Sequence, residues 1–262
     1  MKVFKPGKAA YVLVEKDDGK VWVMKTEVFE QFDPGMLDLG DIGKPSATTN
    51  AICAMYDLEG FTNFCKQIDP QLSVPSYLSG FLGWIFDKIR SQAVYRRFEE
   101  GIQLYHELPF FTKFLGDGLL ILWDTSDMGE VAQHNVILNQ LRICRNYLSE
   151  FLPSIKKKLC DPPEALRCGI TKGTIYSVGD GNDFVGPCIN LAGRLQKLPG
   201  ARFAFARRGF DPELTWKQHT WLMEMVLKKA AIRGMGNEEL IYLLKENFDK
   251  MADEDKALYH DP

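Results

Sequence analysis

Two strand-length apolar runs each abut an aspartate, and this pairing limits what the chain can fold into. Ala51-Ile52-Cys53-Ala54-Met55-Tyr56 runs directly into Asp57, which Leu58-Glu59-Gly60-Phe61-Thr62 follows. Asp117 stands in Phe114-Leu115-Gly116-Asp117-Gly118 and leads into Leu119-Leu120-Ile121-Leu122-Trp123. A carboxylate at the end of a buried strand is costly unless a cation neutralises it. Glycine near each aspartate lets backbone or ligand come close. Together these features suggest a divalent metal site that holds phosphate.

Composition narrows the rest. The 262 residues suffice for one large domain or a domain with a sizeable appendage. Net charge is -3 with both signs interspersed, so no basic field invites nucleic acid. Cys53, Cys65, Cys144, Cys160, Cys168 and Cys188 make no CxxC pair, and the histidines show no ligand spacing. Buried free thiols in a reducing cytosol are therefore expected, rather than disulfides or zinc. The N-terminus has no apolar h-region, and no apolar stretch approaches a membrane span. A cytoplasmic protein with no membrane partner is expected.

Along the chain, residues 9–25 read as a hairpin turning at Asp17-Asp18-Gly19, and 33–50 as a connecting loop. The first strand of the main domain is 51–57. A helix begins at 62–66, and Pro75 suits the first turn of the next one. Residues 102–106 and 110–123 bracket a strand pair around Asp117. An amphipathic helix covers 131–151, followed by strands at 165–170 and 174–178. A helix spans 189–198, and strands lie at 201–206 and 240–244. This alternation without a strict βαβ repeat predicts an α+β fold with a mostly antiparallel sheet. The expected divisions are 1–48 (hairpin and loop), 49–250 (main domain) and 251–262 (tail).

Each motif has a plain structural alternative. Asp57 suits the cap of a following helix, and Asp117-Gly118 suits a hairpin turn. Exposed N–H groups at the helix start after Gly60 would equally suit a polyphosphate. A third segment, Gly186-Pro187-Cys188-Ile189-Asn190-Leu191-Ala192-Gly193-Arg194-Leu195, adds Asn190 and Arg194 at i and i+4, on one helix face. An amide between Ile189 and Leu191 is a poor choice for helix propensity alone.

In order and spacing these segments resemble the catalytic domain of class III nucleotidyl cyclases. Tyr56–Thr62 looks like the first metal-aspartate motif, Lys113–Gly118 like the second, and Gly186–Leu195 like the helix of the transition-state residues. Ile232-Arg233-Gly234-Met235-Gly236 with Leu240-Ile241-Tyr242 is similar to the closing turn and strand. The resemblance covers about residues 50–245 and implies a ferredoxin-like fold with flanking helices. It also implies a homodimer with two composite sites. Asp57 and Asp117 of one protomer, with the Leu58 carbonyl, would hold two Mg²⁺ or Mn²⁺ ions per site. Asn190 of the partner would orient the ribose and its Arg194 would neutralise the α-phosphate, while Gly60, Phe61, Thr62 and Arg233 would bind the nucleotide.

The base is contested within the resemblance. Lys113 and Asp183 match the adenine-reading positions of adenylate cyclases, which implies ATP. Tyr56, the short Gly173–Gly186 segment and the stretch Tyr56–Pro70 look instead like the pyrimidine cyclases of bacterial Pycsar antiphage systems. On that resemblance the substrate is UTP, or CTP, with Tyr56 filling the pocket against a purine. The cyclic product would reach a separately encoded effector. The competing class, a catalytically silent cyclase-like regulatory domain, typically lacks one of Asp57, Asp117, Asn190 and Arg194, all of which are present here.

Overall fold

The described residues of this computed structural model are 10–92, 95–99, 101–104, 108–210 and 223–262. They fall into two compact units. One holds the described residues up to Thr48 with Tyr176–Val185, and the other holds Thr49–Ile175 with Gly186–Pro262.

In the first unit, Tyr11–Lys16 (β1) and Gly19–Met24 (β2) form the expected antiparallel hairpin, with Lys16 opposite Gly19. The helix Thr26–Phe29 (α1) follows the hairpin, and a 3-10 turn at Pro34–Leu37 interrupts the segment expected as loop. Thr48–Glu59 (β3) then leads into the second unit. Phe61–Phe64 (α2) and Pro70–Gln92 (α3) follow, then a separate two-stranded sheet of Tyr95–Phe98 (β4) and Gly101–Leu104 (β5). Phe111–Phe114 (β6) and Gly118–Asp124 (β7) form a hairpin. Glu130–Asn146 (α4) passes through a π-helical turn at Tyr147–Phe151 into Leu152–Ile155 (α5). The chain continues as Ala165–Val178 (β8), Asp183–Val185 (β9), Pro187–Leu195 (α6) and Phe203–Ala206 (β10). Met225–Ile232 (β11), Gly236–Leu244 (β12), Lys245–Lys250 (α7), Asp253–Lys256 (α8) and Tyr259–His260 (β13) complete it.

The main sheet has the order β13-β11-β12-β10-β8-β3-β7-β6, with β9 on the end of β8. β10 runs parallel to β8, whereas β3–β7, β6–β7, β10–β12 and β11–β12 are antiparallel. This is the α+β architecture with a mostly antiparallel sheet that the sequence predicts. The two apolar runs become ladder partners in mid-sheet, from Ala51 opposite Asp124 to Asp57 opposite Gly118. Burial on both faces explains why neither run alternates with polar residues.

Side chains on a strand alternate between faces. From β3, Ile52, Ala54, Tyr56 and Leu58 enter the core under α3 and α4. On the opposite face, α6 packs Leu191 and Leu195 among Ala204, Ile241 and Leu243. Gly169 of β8 makes that packing possible, because a Cβ there would lie 2.3 Å from the Ala192 carbonyl oxygen.

Four expectations change. The helix expected to open at Pro75 begins at Pro70, where the Asp69 carbonyl accepts from Leu72 N–H at 3.0 Å. Pro75, so near the start, removes a single intrahelical bond. The strand near 102–106 pairs with β4 as Gly101–Leu104 rather than around Asp117, and residues 105–106 lie outside the described residues. The strands expected at 165–170 and 174–178 are one continuous β8. β11, which no alternation announces in Met225–Ile232, is the hairpin partner of β12.

Candidate active site

Asp57 is 5% exposed, and it is not a helix cap. Gly60 holds the N-cap position of α2 in the left-handed region, at φ +86°, and no side chain caps that helix. The Asp57 carboxylate instead turns to β8. There Arg167 donates to its Oδ2 from Nε at 3.0 Å and from Nη2. A buried carboxylate thus has its cation, as the desolvation cost requires.

Asp117 comes to the same end of the sheet through the register. Its neighbour Gly118 is the ladder partner of Asp57, and its own carbonyl accepts from the Leu58 N–H at 2.9 Å. Asp117 is also in a hairpin turn, closed by Leu115 N–H donating to the Gly118 carbonyl at 2.9 Å. The turn presents the carboxylate, which is exposed. Gly118 is needed here, since a Cβ would fall 2.2 Å from the Tyr56 carbonyl oxygen.

Among the described residues, no three or more His, Cys, Asp or Glu side chains gather as a metal cluster. The donors on offer are two carboxylates at the ends of neighbouring strands, one buried and with both its hydrogen bonds from Arg167 on a single oxygen. This set fits Mg²⁺ or Mn²⁺, hard ions that take one or two protein carboxylates and complete their shell with water and substrate phosphate.

Gly60 and Thr62 are exposed beside this end of β3, and the space next to the Gly60 Cα is open. The Phe61 ring packs with Phe64 and Tyr77, at centroid distances of 6.1 and 6.2 Å, so its backbone is what remains for a ligand.

The second group lies along α6. Pro187 begins the helix at a position where its missing N–H costs nothing. The helix is fastened to β3 at two points. Cys188 Sγ lies 3.4 Å from Cys53 Sγ, and the Gln196 amide, with its nitrogen turned inward, donates to the Met55 and Tyr56 carbonyls at 3.2 and 2.9 Å. The bond to Cys188, and then burial, pushes the Cys53 thiol far above its ordinary range. All six cysteines are free, four of them buried, with Cys65 partly and Cys160 fully exposed. Asn190 and Arg194 are exposed on one face of α6 and line a groove of about 490 Å³. Arg233, from the turn between β11 and β12, lines the same groove, as do Lys197 and Met55.

Tyr56 corrects an expectation. It is 0% exposed, its ring lies in the core under α3 and α4, and its hydroxyl donates to Gln140 Oε1 at 2.7 Å. Period-two alternation puts it on the face opposite Asp57. It does not line a nucleotide pocket. Lys113 is exposed on β6 opposite Leu120, and Asp183 belongs to the first unit, where its carboxylate accepts from Phe184 N–H at 2.9 Å.

Arg167 is the residue at this end of the sheet that sequence reasoning missed. An arginine inside Ala165-Leu166-Arg167-Cys168-Gly169-Ile170 was the available signal, because a charge on a buried strand needs a counter-charge nearby.

No family model and no curated protein matches the sequence. Solved structures do match. The adenylyl cyclase CyaB from P. aeruginosa is similar over 77% of this chain and 96% of that one, at 13% identity and a TM-score of 0.56. The guanylyl cyclase Cya2 is similar over 77% and 94%, at 15% identity and a TM-score of 0.54. A bacterial light-regulated adenylyl cyclase is similar over 84% of this chain and 61% of that one, at 16% identity and a TM-score of 0.50. The fold of this chain is that of adenylyl and guanylyl cyclases.

Proposed function

We propose that this protein is a nucleotidyl cyclase, converting a nucleoside triphosphate to its 3′,5′-cyclic monophosphate and pyrophosphate at sites shared between two protomers. The observation that carries the reading is the register of β3 on β7, which brings Asp57 and Asp117 to one end of two neighbouring strands, with Arg167 on the Asp57 carboxylate, within a cyclase-like fold. In the reaction the ribose 3′-oxygen forms a bond to the α-phosphorus and the α–β bridging P–O bond breaks. Pyrophosphate leaves with the electron pair, and the hydroxyl proton passes to water. Bound at Asp57, Asp117 and the Leu58 carbonyl, Mg²⁺ or Mn²⁺ would lower the pKa of the 3′-hydroxyl and neutralise phosphate charge. Asp57 and Asp117 hold that charge in place. Arg194 neutralises the charge that builds on the α-phosphate, and Asn190 accepts or donates a hydrogen bond to orient the ribose. Exposed Gly60 and Thr62 offer backbone N–H groups to the polyphosphate.

For the base, we favour a pyrimidine, UTP or CTP. Its support is the resemblance of Tyr56–Pro70 and the short Gly173–Gly186 segment to the pyrimidine cyclases. On that reading the product is a second messenger for a separately encoded effector in antiviral defence. Tyr56, buried in the core, has no part in choosing the base. ATP is the second reading, favoured by Lys113 and Asp183.

Incubation of the pure protein with Mn²⁺ and each of the four nucleoside triphosphates, with the products identified by mass, tests both levels. Only cyclic AMP would end the pyrimidine assignment, and no cyclic product with any substrate would end the cyclase reading in favour of a regulatory domain. Mixing Asp57→Ala with Arg194→Ala protomers should restore one working site per heterodimer. A mixture that stays inactive, with both variants folded and dimeric, refutes the shared site.

A further inference from the structure

We propose that Lys197 is a substrate-positioning residue: with Arg194 and Arg233 it holds the nucleotide's polyphosphate in the groove along α6. The protomer that supplies Asn190 would then also grip the anionic tail of the substrate. This rests on the cyclase reading and deepens it.

The argument begins with helix spacing. Asn190, Arg194 and Lys197 stand at i, i+4 and i+7, a single stripe of α6. The helix ends at Leu195, and the turn that follows keeps the stripe, with Lys197 N–H donating to the Arg194 carbonyl at 3.1 Å. The turn between β11 and β12 brings Arg233 to the same groove. Three cations thus line a cavity of about 490 Å³ whose lining includes no carboxylate. None of the three has an ion pair with another described residue, in a chain where acidic side chains outnumber basic ones.

A solvated helix face is the plain alternative, but it does not explain the convergence. Like charges repel when gathered in one groove, and a cleft of one sign concentrates ligands of the other. Gly193, between Asn190 and Arg194, leaves the floor of the groove to Met55 instead of filling it with a side chain. Apolar walls around the cations, from Ile189, Leu198 and Ile232, lower the local dielectric and strengthen an ionic contact. A ligand with several adjacent negative charges suits three such cations, and a polyphosphate is that ligand. A lysine is a point charge on a long stem, suited to a mobile phosphate rather than to planar bidentate recognition.

Calorimetry with inorganic tripolyphosphate, on the intact protein without metal, tests the anion groove apart from turnover. Lys197→Gln should weaken binding about tenfold, the loss of one charge-assisted hydrogen bond. Lys197→Arg should keep most of it. Lys197 is exposed, so both variants should melt like the wild type. In turnover, Lys197→Gln should raise KM by a similar factor while kcat changes little. The heterodimer of Asp57→Ala with Lys197→Gln, purified away from both homodimers, should have one site with wild-type KM, because its intact Lys197 serves only the partner's aspartates. Unchanged tripolyphosphate affinity in Lys197→Gln overturns the proposal, as does a purified heterodimer whose KM stays raised. If tripolyphosphate binds through Lys197 but no nucleotide is cyclised, the groove stands and the cyclase reading falls.

Discussion

Replacing Arg167 with glutamine should destabilise the folded protein, and manganese should return part of the loss. The Asp57 side chain is 7% exposed and that of Arg167 is 26% exposed. Removing one partner of a fully buried ion pair costs about 3–5 kcal/mol, because the other charge stays buried and unpaired. Water reaches a quarter of Arg167, which reduces the expected cost to about 2–3 kcal/mol. The reciprocal change, Asp57→Asn, leaves a guanidinium that water can partly solvate, so about 1 kcal/mol is expected. The double variant removes both charges, and the coupling of the cycle, about 1–2 kcal/mol, isolates the pair. Urea denaturation of the four proteins in EDTA measures these terms. An ion that binds only the folded state adds stability as RT ln(1 + [Mn²⁺]/Kd). That gain should be larger in Arg167→Gln than in the wild type, where the guanidinium's charge opposes the ion, and smallest in Asp57→Asn. Losses that add to within about 0.5 kcal/mol would show that the two groups do not interact in solution. An equal manganese gain in wild type and Arg167→Gln would show that the ion does not go to Asp57.

Two further substitutions probe how the site is held and how the base is chosen. Gly169→Ala places a methyl 2.3 Å from the Ala192 carbonyl oxygen and 2.6 Å from the Gln196 nitrogen. Both atoms are backbone, so α6 must shift. The expected cost is about 1–3 kcal/mol by urea denaturation, with a large fall in turnover as Asn190 and Arg194 move, and full activity would refute the argument. Tyr56→Phe leaves Gln140 Oε1 buried without its donor, at a cost of about 1–3 kcal/mol. The relative rates with the four nucleoside triphosphates should not change, and an altered preference would return the ring to the pocket.

The sheet was legible because its central strands are apolar throughout, which only burial on both faces allows. β11 was not, since Met225-Val226-Leu227-Lys228-Lys229-Ala230-Ala231-Ile232 carries neither strict alternation nor a helical stripe. Its identity comes from pairing with β12, a non-local fact. The aspartates, Asn190 and Arg194 were legible as motifs, and the turn reading of Asp117 proved compatible with a site. The error over Tyr56 was avoidable. Adjacent residues on a strand point to opposite faces, so if Asp57 faces the site, Tyr56 cannot. Arg167 was missed because its partner lies 110 positions away, and a lone charge names no partner.

On the proposed function, the Asp57–Arg167 pair also explains how a carboxylate kept for a metal can exist in a folded chain before any metal arrives. A buried carboxylate without a cation would destabilise the ligand-free protein by several kcal/mol, on the scale of a whole domain's stability. Arg167 supplies the cation from the neighbouring strand at no cost in loop closure, because β8 and β3 are already adjacent in the sheet. The same arrangement couples the ligands to one another. An ion that takes Asp57 sets its charge beside a guanidinium that is three-quarters buried, and the two cations then need a further anion. A metal entering alone therefore brings two cations to one carboxylate. A metal entering with a polyphosphate would satisfy both cations at once, since the phosphate can also accept from Arg167. On the proposed function, cation and anion should therefore bind better together than either does separately.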